Sequence, residues 1–177
     1  MKFKFSKKGQ VWVETVIYTL IAFVMIGLIL SYAKPKLEQL QDETILQQSS
    51  TILKQIDSTI LTLGTEGNQR ILEIGIKKGV LKLDAVNDLI LFEIESKKLY
   101  SEPGKRIEDG NLIIYTEKKS GYNLITLTRN YSQKYDLKID GKDELKTVSP
   151  ASTSYNLILK SEGEDARNKM VLNLSIS

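Results

Sequence analysis

Cysteine and histidine are absent from the 177 residues. Their absence excludes a disulfide framework, the usual zinc sites, a thiol nucleophile and a Ser-His-Asp triad. The chain also lacks a Gly-rich phosphate loop and a paired-carboxylate site with supporting context. Charge of one sign is not in excess: 25 Lys and Arg against 22 Asp and Glu leave +3, too little to call for nucleic acid as a partner. The length fits one domain of ordinary size with an appendage. A mean hydropathy of −0.19 describes a soluble protein, but that average conceals two very different regions.

Lys2, Lys4, Lys7 and Lys8 fall in the first nine residues with no acid among them. Val11 to Ala33 follows, 23 residues whose only charge is Glu14. From Thr15 to Ala33 nothing ionises at neutral pH, and as a helix these 19 residues cover about 28 Å, one hydrocarbon core. Core helices of globular proteins are rarely apolar on all faces for so long. A secretory signal peptide has a shorter apolar region ending in an A-x-A-like site, which is missing after Ala33. The segment is therefore expected to span a membrane. Lysines beside a span tend to stay cytoplasmic. Four precede this one, whereas Lys34 and Lys36 behind it are soon matched by Glu38, Asp42 and Glu43. That asymmetry places the N-terminus in the cytoplasm and the residues after about 34 outside.

Beyond the span the pattern turns amphipathic. Leu37, Leu40, Ile45, Leu46, Ile52, Leu53, Ile56, Ile60 and Leu63 recur mostly at three- and four-residue spacing, with polar residues between them. Pro35 is expected to bend the helix near the membrane boundary, and Gly64 to Asn68 supply a C-cap and turn. One helix over residues 10–63 would be about 80 Å long, so only its second half can rest on a small domain. From Arg70 the period falls to 2. Strands are expected around Leu72 to Lys77, Leu81 to Leu83, Leu89 to Ile94, Leu112 to Glu117, Tyr122 to Arg129, Tyr135 to Ile139, Tyr155 to Lys160 and Met170 to Ile176. Turn dipeptides such as Lys78-Gly79, Gly110-Asn111 and Asp140-Gly141 punctuate them. The fold class is α+β: a long N-terminal helix, apolar in its first half, then an antiparallel sandwich-like domain over residues 68–177 that needs no disulfides.

The junction Lys7-Lys8-Gly9-Gln10, with Glu14 inside the apolar run, resembles the class III signal sequence of archaeal type IV pilin-like proteins. The resemblance covers about residues 7–33. It implies that a prepilin peptidase cuts between Gly9 and Gln10 on the cytoplasmic side, removing the basic leader 1–9 and keeping the apolar segment 10–33. Gln10 becomes the mature first residue and Glu14 the mature fifth, where many type IV pilins carry glutamate. Trp12 is bulkier than the residue that branch often has there. Archaellins are close relatives, but they typically have Gly-rich apolar segments without this glutamate.

The resemblance implies assembly rather than catalysis: a subunit held in the membrane, then built by an assembly ATPase and platform into a helical homo-oligomer. Apolar helices form its core and β domains its surface, and adhesion is the expected role. A carboxylate inside an apolar helix costs about 2.5–3.5 kcal/mol at the bilayer centre and less near its edge. The α-amine freed at Gln10 of a staggered neighbour is a suitable partner for Glu14, with a hydrogen bond replacing the ion pair if the glutamine cyclises. Glu14 at headgroup depth is the plainer alternative. Ala22, Gly27 and Ser31 permit close helix approach.

Asn130-Tyr131-Ser132 and Asn173-Leu174-Ser175 fit the glycosylation acceptor pattern, with Asn173 expected to point outward. Tyr100, Tyr115, Tyr122, Tyr131, Tyr135 and Tyr155 are expected mainly as half-buried strand residues. The acids around Gly141 and Gly163 lack EF-hand spacing and read as solvated turns. No catalytic residue, metal, cofactor or nucleic acid is expected. A non-polymerising, single-pass anchored β domain that binds an external ligand is the rival reading. Without residues 1–9, 21 basic groups face 22 acidic ones, so the basic excess is topogenic.

Overall fold

In a computed structural model the described residues are 7–177, with side chains from residue 11 onward. Lys2 and Lys4 of the expected leader lie outside them. One helix, α1 (Lys7–Leu61), is followed by ten strands. These are β1 (Gln69–Ile74), β2 (Val80–Asp84), β3 (Leu89–Ser96), β4 (Arg106–Asp109), β5 (Leu112–Lys118), β6 (Asn123–Asn130), β7 (Tyr135–Ile139), β8 (Leu145–Val148), β9 (Tyr155–Glu164) and β10 (Met170–Ile176). The chain divides into two compact units, Met1–Leu40 and Gln41–Ser177. The second half of α1 thus belongs to the β unit.

The α+β class holds. The helix continues through Pro35, whose ring removes one backbone donor. Near its end, Thr62 N–H donates to Ser58 and Leu63 N–H to Ile60, and Gly64 then turns the chain with φ +77°.

Four strands form one sheet in the order β1-β9-β10-β7 and six form another in the order β4-β5-β6-β3-β2-β8. All eight expected strands are present, and β4 and β8 add to them. Neither alternates: Ile107 is the one apolar residue of β4, and Leu145 and Val148 of β8 stand three apart. Pairing is antiparallel everywhere except between β7 and β10. Their parallel alignment departs from the expected all-antiparallel domain, and the reason is topological. Residues 140–169 between them carry β8 to the six-stranded sheet and β9 to the four-stranded one before β10 returns beside β7, the long crossover that a parallel pair needs.

Alternation fixes which face is buried. Ile90, Phe92 and Ile94 of β3, Ile125 and Leu127 of β6, Leu157 and Leu159 of β9, and Leu172 and Leu174 of β10 are at most 2% exposed. They share one core with Leu46, Leu53, Ile56 and Ile60 of α1 and with Leu63 just beyond its end. Full burial of each such aliphatic side chain stabilises by about 1.5–3 kcal/mol. Gly79, at the head of β2, has φ +84°, and a Cβ there would fall 2.7 Å from the Glu93 carbonyl oxygen. Only glycine fits where β2 meets β3 so closely.

Candidate functional site

The two parts of the chain offer different chemistry. In the first unit, every described side chain from Val11 to Leu37 is exposed. Trp12 (70%), Tyr18, Leu20, Phe23, Leu28 and Tyr32 are among the large apolar groups without cover. This part of α1 is long and apolar enough to cross a membrane, and it is a candidate membrane anchor. Its Ser and Thr hydroxyls are satisfied within the helix: Thr15 donates to the Val11 carbonyl at 2.9 Å, Thr19 to the Thr15 carbonyl at 2.8 Å and Ser31 to the Leu28 carbonyl at 2.8 Å. Hydroxyls bonded in this way need no water, which suits lipid or a dry helix–helix seam. Glu14 stands exposed on this segment. Gly9 and Gln10 lie on helical backbone, and their side chains are outside the described residues. A Cβ added at Gly27 would meet nothing, so the helix surface is open there.

In the second unit the polar residues of α1 behave differently from a wet helix face. Asp42 is 4% exposed, and its carboxylate accepts hydrogen bonds from Lys78 Nζ, from Ser96 Oγ (2.8 Å) and from the Lys97 amide (3.0 Å). Burial pushes the Asp42 carboxyl up, but the bonds from Lys78, Ser96 and Lys97 outweigh it and hold the group below its ordinary value. Glu43 pairs with Lys98 at 2.7 Å. About three turns further on, Lys54 pairs with Asp109 at 2.7 Å. Asp57 accepts from Arg129 Nε at 2.6 Å and from Asn111 Nδ2 at 3.1 Å. These pairs tie the second half of α1 to the β1–β2 connection, to the end of β3 and the residues after it, to the β4–β5 turn and to β6. Sequence reading placed the acids of this segment on a wet face, because their partners lie 36–72 residues away.

The two glycosylation acceptors are unlike each other. Asn130 is exposed at the end of β6, and its Oδ1 accepts from the Ser132 amide (2.8 Å) and the Ser132 hydroxyl (2.7 Å). Its neighbours in sequence are fixed: Arg129 holds Asp57, and Tyr131 is 2% exposed with the Arg129 guanidinium 5.0 Å from its ring centroid. Burial and the Asp57 carboxylate push the Tyr131 hydroxyl well above its ordinary value. Asn173 lies half-buried in β10, between β9 and β7. Its Nδ2, the atom a glycan would take, donates to Glu162 at 3.0 Å, and its Oδ1 accepts from the Gly141 amide at 3.0 Å.

Of the tyrosines, Tyr100 and Tyr122 are exposed, Tyr131 is buried, and Tyr115, Tyr135 and Tyr155 are half-buried. The acids near Gly141 and Gly163 are engaged by cations and amides. Lys146 reaches Asp140, Lys138 reaches Asp143, and Asp165 accepts from Arg167 and from the Lys169 amide. Among the described residues no group of three potential metal ligands converges.

Comparison with protein-family models, with curated proteins and with solved structures found no match.

Proposed function

We propose that the chain is a type IV pilin-like subunit of an archaeal surface filament, processed between Gly9 and Gln10 and assembled through residues 10–33 for adhesion. The observation that carries this reading is the Lys7-Lys8-Gly9-Gln10 junction leading into a helix whose described side chains from Val11 to Leu37 are all exposed. Monomeric soluble proteins rarely leave contiguous apolar patches larger than a few hundred Å². A membrane before assembly and the filament core after it would each cover this surface. Helix packing can replace lipid contact because the internally bonded Ser and Thr hydroxyls ask nothing of the new surroundings. Prepilin peptidase and the assembly ATPase and platform are the partners this reading requires. Within it, Asn130 is the better placed acceptor for a glycan on the outer surface.

N-terminal sequencing of the mature protein tests the processing step. Gln10, or its cyclised form, is expected as the first residue, and an intact Lys-rich leader would count against the reading. Glu14→Ala tests the assembly step. Incorporation into shed filaments should fall about tenfold, the scale of losing one desolvated charge pair. Unchanged incorporation would remove Glu14 from the mechanism.

A further inference from the structure

Each sheet has an open edge whose backbone groups can be assigned. In the four-stranded sheet β1 is bonded only to β9, and in the six-stranded sheet β4 is bonded only to β5. Asn156 and Ser177 exchange both backbone hydrogen bonds, at 2.9 and 3.2 Å. By antiparallel alternation, Asn156, Ile158 and Lys160 then face β10, while Leu157 and Leu159 face β1. Those two oppose Leu72 and Arg70. The N–H and C=O groups of Gln69, Ile71 and Glu73 therefore point to the open side. On β4, the two-residue turn Gly110-Asn111 makes Asp109 and Leu112 the last bonded pair and Ile107 and Ile114 the next. Arg106 and Glu108 are left pointing away from β5.

Among the described residues nothing covers either edge. Arg70, Ile71 (61%) and Glu73 are exposed, as are Arg106, Ile107 (41%) and Glu108. Beside Glu73 and Gly75 runs an open cleft of about 480 Å³, whose far wall includes Gln47, Thr51 and Gln55 of α1. An incoming strand has room there.

We propose that β1 of one copy pairs antiparallel with β4 of a second copy, in the register that sets Glu73 opposite Arg106. Ile71 then lies opposite Glu108, and all four residues of these two pairs turn free backbone groups toward each other. On the core side of the joined sheets, Leu72 meets Ile107 and Arg70 meets Asp109. Two opposite-charge pairs and one aliphatic pair result, each of a kind that stabilises a sheet. Antiparallel bonding allows shifts only in steps of two residues, and both neighbouring registers are worse. One sets Glu73 against Glu108, and the other sets Arg70 against Ile107 and Ile71 against Arg106. Because β1 and β4 are different surfaces, the contact is head-to-tail and propagates instead of closing into a dimer. As a contact within a filament it rests on the reading above.

The test uses the full-length chain, whose lack of cysteine makes introduced thiols unique. Bonded antiparallel partners have Cα atoms about 5.5 Å apart, inside the ~4.4–6.8 Å range of disulfides. Ile71→Cys and Glu108→Cys are combined in one chain, oxidised in cell membranes and in shed filaments, and run on a non-reducing denaturing gel. A ladder of dimer, trimer and higher species is expected from the double variant, with monomer from each single variant. Monomer from the double variant, or dimer from either single one, overturns the proposal. Adding Arg106→Glu should weaken the ladder about fivefold or more, and adding Glu73→Arg as well should restore it, which unfolding would not. Filaments that start at Gln10 but give no ladder sink the strand pairing and leave the filament reading standing. A ladder without filaments supports the pairing and sinks the filament.

Discussion

The two halves of α1 have the same backbone and opposite surroundings. From Val11 to Leu37 all described side chains are exposed although most are apolar. From Asp42 to Ile60 an aliphatic stripe is buried, and so are Asp42, Ser49 and Asp57. Helical hydrogen bonding alone rarely stabilises a segment of this kind, since most helix stability comes from packing. The second half obtains its packing within its own unit, and the first, a candidate membrane anchor, shows no such packing among its described side chains. Hydropathy marks the difference only in part, because both halves are rich in Leu and Ile. The spacing of the polar residues separates them.

The largest expected contrast is between aliphatic truncations. Ile56→Ala removes a side chain that is fully buried and should lower the unfolding free energy of the β unit by about 2–5 kcal/mol. Ile21→Ala, at a position 53% exposed, should leave that transition within about 0.5 kcal/mol. Urea titration followed by tyrosine fluorescence reads both, and equal effects would erase the distinction between the halves.

A smaller contrast concerns acids. Asp57→Ala strands Arg129 and Asn111 and should cost about 2 kcal/mol, discounted from a fully buried pair because Arg129 is partly exposed. Glu14→Ala should leave the same urea transition unmoved. In the proposed filament its effect falls on assembly.

The smallest is a pH effect. Asp42 has its carboxyl held low in the folded chain, so its contribution is present above the unfolded value of about 3.9 and is lost as pH falls further, through the folded value. The urea midpoint of the native chain should exceed that of Asp42→Asn at pH 7, and the gap should narrow below about pH 4. A gap that stays constant with pH would show that the charge on Asp42 contributes nothing.

Much of the fold was legible because periodicity reports burial. The alternation of Met170 to Ile176 identified β10, and Leu172 and Leu174 are fully buried. What stayed hidden depends on distant partners. Nothing local marks Asp42 and Asp57 as buried, since Lys78, Ser96 and Arg129 make burial tolerable only after the sheets have formed. Parallel pairing of β7 with β10 is likewise a property of the route the chain takes between them. The candidate anchor was legible by composition alone, and Glu14 by being the one charge within it. The difference between Asn130 and Asn173 required hydrogen-bond partners, which a three-residue motif does not contain.

The place of β10 between β9 and β7 sets the order of events during synthesis. The strand that joins the two sides of its sheet is the last in sequence among the described strands, and its parallel partner ends 31 residues earlier. Until residue 170 is available, β9 with β1 and β7 on its own cannot be joined into one sheet, and the inner edges of β9 and β7 remain open. Contacts this distant in sequence form slowly. A chain being synthesised would therefore keep those edges available to chaperones, or to neighbouring nascent chains, until residue 170 had emerged. Completion of this sheet is a checkpoint that reports the arrival of the C-terminal strand.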